Sequence, residues 1–167
     1  MKQKIVNLYA GPGAGKSTTA ALIFSYMKLR GYNVELVREY AKDLVWEFGT
    51  IPSHITQLDI FTEQKKRQDI LYGKVDLIIT DSPLRLSTLY GTPEDLVIEE
   101  ELKYDSIDVE ILRTKSYQSV GRLQTESEAK ELDVLAKRFT QRSLYSSKEA
   151  VEEFCNELEH LLTKISV

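Results

Sequence analysis

Nine residues near the start of the chain, Ala10-Gly11-Pro12-Gly13-Ala14-Gly15-Lys16-Ser17-Thr18, restrict what it can fold into more than any other feature. They fit a glycine-rich loop closed by Gly-Lys-Ser, with Ala10 in the first slot and Gly11 one place later. Glycines let backbone N–H groups turn inward around phosphate oxygens, and a following helix adds the positive end of its dipole. Such a loop needs a buried strand before it and a helix after it. Ile5-Val6-Asn7-Leu8-Tyr9 is a short apolar β-rich run, and residues 15–30 place Ala20, Leu22, Ile23, Tyr26, Met27 and Leu29 at helical spacing before Gly31. Gly11 to Thr18 are therefore the expected contacts of a polyphosphate. Lys16 is expected at its β- and γ-phosphates, and Ser17 is expected to help hold Mg²⁺.

The rest of the chain continues the alternation of strand and helix. Strands are expected at 33–37, 75–80, 107–112 and 141–145. Helices are expected from Glu39 to Phe48, from Ser53 to about Tyr72, after Thr92-Pro93-Glu94-Asp95, from the capping box Thr125-x-x-Glu128 to about Arg138, and after Ser146-x-x-Glu149. The last helix carries one apolar stripe of Ala150, Val151, Phe154, Cys155, Leu158, Leu161, Leu162 and Ile165. Strands separated by helices, without clean polar alternation, predict an α/β fold. Its mostly parallel five-stranded sheet would have helices on both faces. No repeat or linker divides the 167 residues, so a single domain over 1–167 is expected.

Composition excludes several functions. A net charge of −4 argues against a chain built mainly to coat nucleic acid. With one cysteine, Cys155, no intrachain disulfide forms, and with only His54 and His160 beside it a Cys/His zinc site is not expected. The run from Ile5 to Ala10 is too short for a signal-peptide core and no run approaches a membrane span, so a cytoplasmic protein without membrane contact is expected.

Other residues are candidates by position. Asp81 ends the third strand, where its carboxylate would face the loop and hold Mg²⁺, while Asp81-Ser82-Pro83 also reads as a helix cap. Glu39 follows the second strand and is the candidate general base for an acceptor hydroxyl; a first-turn helix acid is the alternative. Arg38, Tyr40, Trp46 and Arg85 are candidate substrate contacts, although Arg85 would equally pair with a surface acid. Gln64 or Arg67, on the long helix after Ser53, is placed to reach a base, with solvent exposure as the alternative. The polar stretch 113–124, with Arg113, Lys115 and Arg122, reads as a lid whose cations close on the transferring phosphoryl group. The acidic segment 91–110 reads as a solvated helix face, with Leu96, Val97, Ile98 and Leu102 on its buried side.

Gly11 to Thr18, Arg38-Glu39-Tyr40-Ala41, Thr80-Asp81-Ser82-Pro83 and Gly121-Arg122-Leu123-Gln124-Thr125-Glu126 together resemble small phage and bacterial P-loop kinases. These are often labelled AAA-like ATPases and are similar to the ribosylnicotinamide-kinase domain. The resemblance implies a three-layer P-loop NTPase fold and phosphoryl transfer from Mg²⁺·ATP to a nucleoside, a nucleotide or a related hydroxyl. It implies that Glu39 is the base and that a phage-encoded protein would work in the host cytoplasm. Two other functions stay open: a kinase acting on a DNA or RNA hydroxyl, and an NTP-driven switch or assembly ATPase. GTP as donor, and a monomer or a homo-oligomer, are equally compatible with the sequence.

Overall fold

The computed structural model describes residues 3–114 and 116–163, so Lys115 and Ile165 lie outside the described residues. Five strands form one parallel sheet: β1 (Lys4–Tyr9), β2 (Val34–Val37), β3 (Leu77–Thr80), β4 (Ser106–Leu112) and β5 (Arg142–Tyr145). Their order across the sheet is β2-β3-β1-β4-β5, with every pairing parallel. β1 lies at the centre, between β3 and β4, and like β3 it is covered on both faces. Val6 and Leu8 point to one face, and Ile5 and Tyr9 to the other, all almost completely buried.

Helices cover both faces. α1 (Lys16–Leu29) and α6 (Lys148–Thr163) pack on the first face. Ala20, Ile23 and Met27 meet Phe154, Cys155, Leu158 and Leu162 over Val6, Leu8, Ile79 and Val109. Each of the larger side chains (Val, Leu, Ile, Met and Phe) contributes roughly 1.5–3 kcal/mol by leaving water. Cys155 is a core residue of this layer, and burial pushes its thiol up to about 11. The other face carries α2 (Tyr40–Phe48), α3 (Gln57–Asp69), a 3₁₀ segment (Leu84–Tyr90), α4 (Glu94–Glu101) and α5 (Glu126–Lys137). Phe61, Leu84 and Val97 form a smaller core there. No helix among the described residues is long and apolar enough to cross a membrane.

Several local expectations are corrected. α3 starts at Gln57, because Thr56 and Asp59 form a reciprocal capping box that Ser53 lacks. Pro93 is the N-cap of α4 and not its first helical residue, and the buried Thr92 caps nothing. Ser147, one place after Ser146, accepts the Ala150 N–H at 3.2 Å and caps α6. The turn after Asp81 runs into 3₁₀ structure in place of an α-helix. The acidic segment is only partly solvated. Glu94, Asp95 and Glu99 are exposed, but Glu101 binds Arg85, Asp105 binds Lys4, and Asp108 accepts from Asn7 at 2.8 Å. Leu102, placed on the buried side by its spacing, is 80% exposed.

Candidate functional site

The loop 10–18 leaves β1 at the centre of the sheet and enters α1. Gly15 is the N-cap of α1 with φ 113°, a left-handed conformation that side chains resist, and no side chain caps the helix. The first turn carries no acid, so the unpaired N–H groups of a 14-residue helix remain available to an anion. Lys16 Nζ folds back over the loop and donates to the carbonyls of Ala10 (2.8 Å) and Gly11 (3.1 Å). Burial lowers its pKa, while the nearby carboxylates of Glu39, Asp81 and Asp133 act to keep it charged.

Asp81 joins three elements at this point. Its Oδ2 accepts from Ser17 Oγ at 2.5 Å, and its Oδ1 accepts from the Glu39 N–H at 3.2 Å. One carboxylate thus ties the start of α1 to the turn between β2 and α2. A hydroxyl and a carboxylate side by side are hard oxygen donors that fit Mg²⁺, a cation that keeps several waters and needs few protein ligands. No group of three or more His, Cys, Asp or Glu side chains with metal-site geometry occurs among the described residues.

Glu39 lies at the same mouth. It is the N-cap residue of α2, yet its side chain makes no capping bond, so the carboxylate is not consumed by the helix. Its pKa is raised by burial and by Asp81, against the opposing pull of Lys16, Lys42 and Arg122. Tyr90 faces it across the cavity; burial and the Glu39 charge push the phenol up to about 12. Gln64, a buried residue of α3, holds the turn from beneath, accepting from the Tyr40 N–H (2.9 Å) and donating to the Arg38 carbonyl (3.3 Å). Gln64 thus supports the turn that carries Glu39 while also lining the cavity.

A cavity of about 660 Å³ runs from Lys16, Ser17 and Thr18 past Asp81 and Glu39. It continues into a bay walled by Val45, Ile51, Phe61, Leu84, Leu86 and Tyr90, with Gln57 and Ser87 as polar points. Lys42 and Arg122 supply its remaining positive charge. Lys42 directly follows the Arg38-Glu39-Tyr40-Ala41 motif without being part of it, and Gln57 adjoins no motif.

Four proposed substrate contacts lie off this cavity. Arg38 is exposed at the end of β2. Tyr40 packs under the Arg67 guanidinium, 4.8 Å from its ring centre, and Arg67 is itself paired with Asp43 (2.7 Å) and Glu63 (3.3 Å). Arg85 takes the alternative open to it: its Nε lies 2.5 Å from Glu101, and its guanidinium stacks over Phe139. Trp46 is 60% exposed and its ring packs against Gly121 of the lid stretch. Sequence spacing set these residues near the mouth; the direction each side chain takes was decided by its packing partners.

The lid stretch divides. Arg122 faces the cavity, stacks on Tyr117 and donates to the Gln118 carbonyl. Tyr117 lies against Gly13 of the loop and donates to the Gln124 carbonyl. Arg113 is not a mobile lid cation. It is mostly buried beside the loop, with Nε 2.6 Å from Asp133 and Nη2 donating to the Pro12 carbonyl at 2.9 Å. Asp133, in α5, gave no sequence signal.

No protein-family model matches the sequence, and no curated protein matches it. Solved structures do. The chain is similar to the APS kinase CysC of Mycobacterium tuberculosis (Cys556Ala mutant) with a TM-score of 0.51 at 15% identity, covering 96% of this chain and 97% of that one. Similarity to APE1195 gives a TM-score of 0.52 at 18% identity, over 98% and 97% of the two chains. Similarity to Chaetomium thermophilum Kti12, solved in complex with ADP-AlF3, gives 0.61 at 13% identity, over 95% and 99%. At these identities the likeness is one of fold. Together with the 2-3-1-4-5 parallel sheet and the loop at the end of β1, it establishes an α/β protein with the P-loop NTPase fold.

Proposed function

We propose that the chain is a phosphotransferase that moves the γ-phosphate of Mg²⁺·ATP to a hydroxyl or phosphate of a nucleoside, nucleotide or related small molecule. One observation carries this reading: a single cavity of about 660 Å³ takes in the phosphate loop, Glu39 and the apolar wall beyond it. Lys16 and the loop N–H groups from Gly13 onward hold the triphosphate; the Gly11 N–H is taken by Asp133 and Pro12 has none. Ser17 and Asp81 would hold Mg²⁺, which when bound neutralises charge on the β- and γ-phosphates. Glu39 takes the proton of the acceptor hydroxyl as its oxygen bonds to the γ-phosphorus. The bond from that phosphorus to the β–γ bridging oxygen breaks, and ADP leaves. Arg122 faces the charge that develops on the transferred group.

A small acceptor is favoured over a nucleic-acid strand by the state of the basic residues from 111 to 142. Arg113 is paired with Asp133, Lys130 with Glu126 and Arg142 with Glu157, so neighbouring acids offset three of the cations that a strand would use there. The test is a panel of nucleosides, nucleotides and oligonucleotides incubated with γ-labelled ATP. Label is expected in a small acceptor. Label in oligonucleotides alone, with salt-dependent affinity, would move the acceptor to nucleic acid. Phosphate release with no acceptor labelled, rising steeply with protein concentration, would make the chain an assembly ATPase.

The lid has its own optical reporter. Trp46 is the single tryptophan, and a Cβ on Gly121 would stand 2.8 Å from its ring. Gly121→Val is therefore expected to lift the lid, shift Trp46 emission to the red and raise phosphate lost to water relative to phosphate transferred several-fold. Unchanged emission and an unchanged ratio would remove the lid role from this stretch.

A further inference from the structure

One carboxylate outside the residues assigned above touches the phosphate loop. α5 lies directly across the start of that loop, and a Cβ on Gly11 would stand 2.1 Å from the Ala129 carbonyl oxygen. Only glycine permits this approach, and the approach is used: the Gly11 N–H donates to Asp133 Oδ1 at 2.6 Å. The same carboxylate accepts from Arg113, Nε to Oδ2 at 2.6 Å and Nη2 to Oδ1 at 3.1 Å. Arg113 Nη2 also donates to the Pro12 carbonyl at 2.9 Å. The guanidinium is thus fixed on two sides while Nη1 is left over. Nη1 is buried, has no hydrogen-bond partner among the described residues, and lies 3.4 Å from where a Cβ on Gly13 would stand.

A buried N–H of a charged group without an acceptor is costly, and such a group is kept where a ligand supplies the acceptor. We infer that Asp133 is a positioning residue of the phosphate site. It pins the Gly11 end of the loop and locks the Arg113 guanidinium so that Nη1 is aimed at a phosphoryl oxygen of the bound triphosphate. This rests on the reading that the loop takes a triphosphate. Two physical effects follow from the pairing. Arginine has many rotamers, and a two-point lock to a carboxylate removes that freedom before the ligand arrives. The pair also carries little net charge, so an acid this close to the loop does not repel the polyphosphate.

The test is calorimetric titration of ATP and of inorganic tripolyphosphate into wild type, Asp133→Asn, Arg113→Gln and the double variant, with melting temperatures measured alongside. Asp133→Asn is expected to weaken both ligands about 10- to 100-fold, the size of one charge-assisted hydrogen bond. Arg113→Gln should do the same, and the double variant should bind no worse than Arg113→Gln alone, because the two side chains act as one unit. Asp133→Glu keeps the charge but moves it by one methylene, and carries the same reading should the asparagine variant not fold. Wild-type affinity in a folded Asp133 variant, a change in melting temperature alone, or losses that multiply in the double variant would each overturn the role of Asp133. Wild type that binds neither ligand would overturn the loop reading itself.

Discussion

Lys16→Ala is expected to abolish transfer while the protein still folds. The ammonium is the cation held against the loop carbonyls, and Glu39 and Asp81 lie close enough to act on its charge. Without it, the strongest positive influence on Glu39 is lost, and Lys42 and Arg122 are left to offset the carboxylates. Turnover should fall by at least about 10²–10³-fold, the usual cost of one positioned transition-state donor. Nucleotide affinity should fall with it, because the same charge holds the ground-state phosphates. The fold should survive, since the strand and helix that frame the loop are fixed by Val6, Leu8, Ala20 and Ile23. Single-turnover rates, a nucleotide titration and a melting curve decide the matter. Undiminished transfer in a folded variant would sink the assignment of the loop as the donor site.

Glu39→Gln is expected to separate chemistry from binding. The rate should drop about 10²–10⁴-fold, the range for a lost general base. ATP affinity should stay within a few-fold of wild type or improve, because a negative charge beside the phosphates is gone. The pH profile supplies a second readout. Burial and Asp81 raise the Glu39 pKa, so the active carboxylate form is lost as pH falls through that raised value, giving an acid limb. Burial lowers the Lys16 pKa, so its charge is lost early as pH rises, giving an alkaline limb. Glu39→Gln should erase the acid limb alone. Stability moves the opposite way from activity. A carboxyl whose pKa is higher folded than unfolded binds its proton more tightly in the native state. Wild type therefore gains stability as pH falls from above the folded value toward the unfolded one, and its charged form is a burden at neutral pH. The glutamine variant should melt higher than wild type at pH 7 and lose part of that pH dependence. An unchanged rate with an intact acid limb would clear Glu39 as the base.

Local chemistry made much of this molecule readable. The loop is legible because its glycines, lysine and serine act through backbone geometry within nine residues. The capping box of Thr125 and Glu128 forms as its spacing predicts, since both bonds span three residues. The same motif at Thr56 and Asp59 is less legible, because aspartate stands where glutamate or glutamine is usual. Strand existence followed from apolar runs, but strand order did not. Nothing in β2 announces that it pairs with β3 and not with β1, a choice made by the crossover of α1 and by which faces were left to bury.

By itself, then, the sequence determined the alternation of strands and helices and the phosphate-type loop between the first pair, because those depend on residues close together in the chain. Tertiary structure decided which carboxylates and cations meet there. Asp81 reaches Ser17 across 64 positions and Asp133 reaches Gly11 across 122. Arg85, Tyr40 and Trp46 turned to partners on other elements and away from the cavity they adjoin in sequence. The direction of a side chain is fixed by whatever packs against it, and packing partners are chosen only once the whole sheet has assembled.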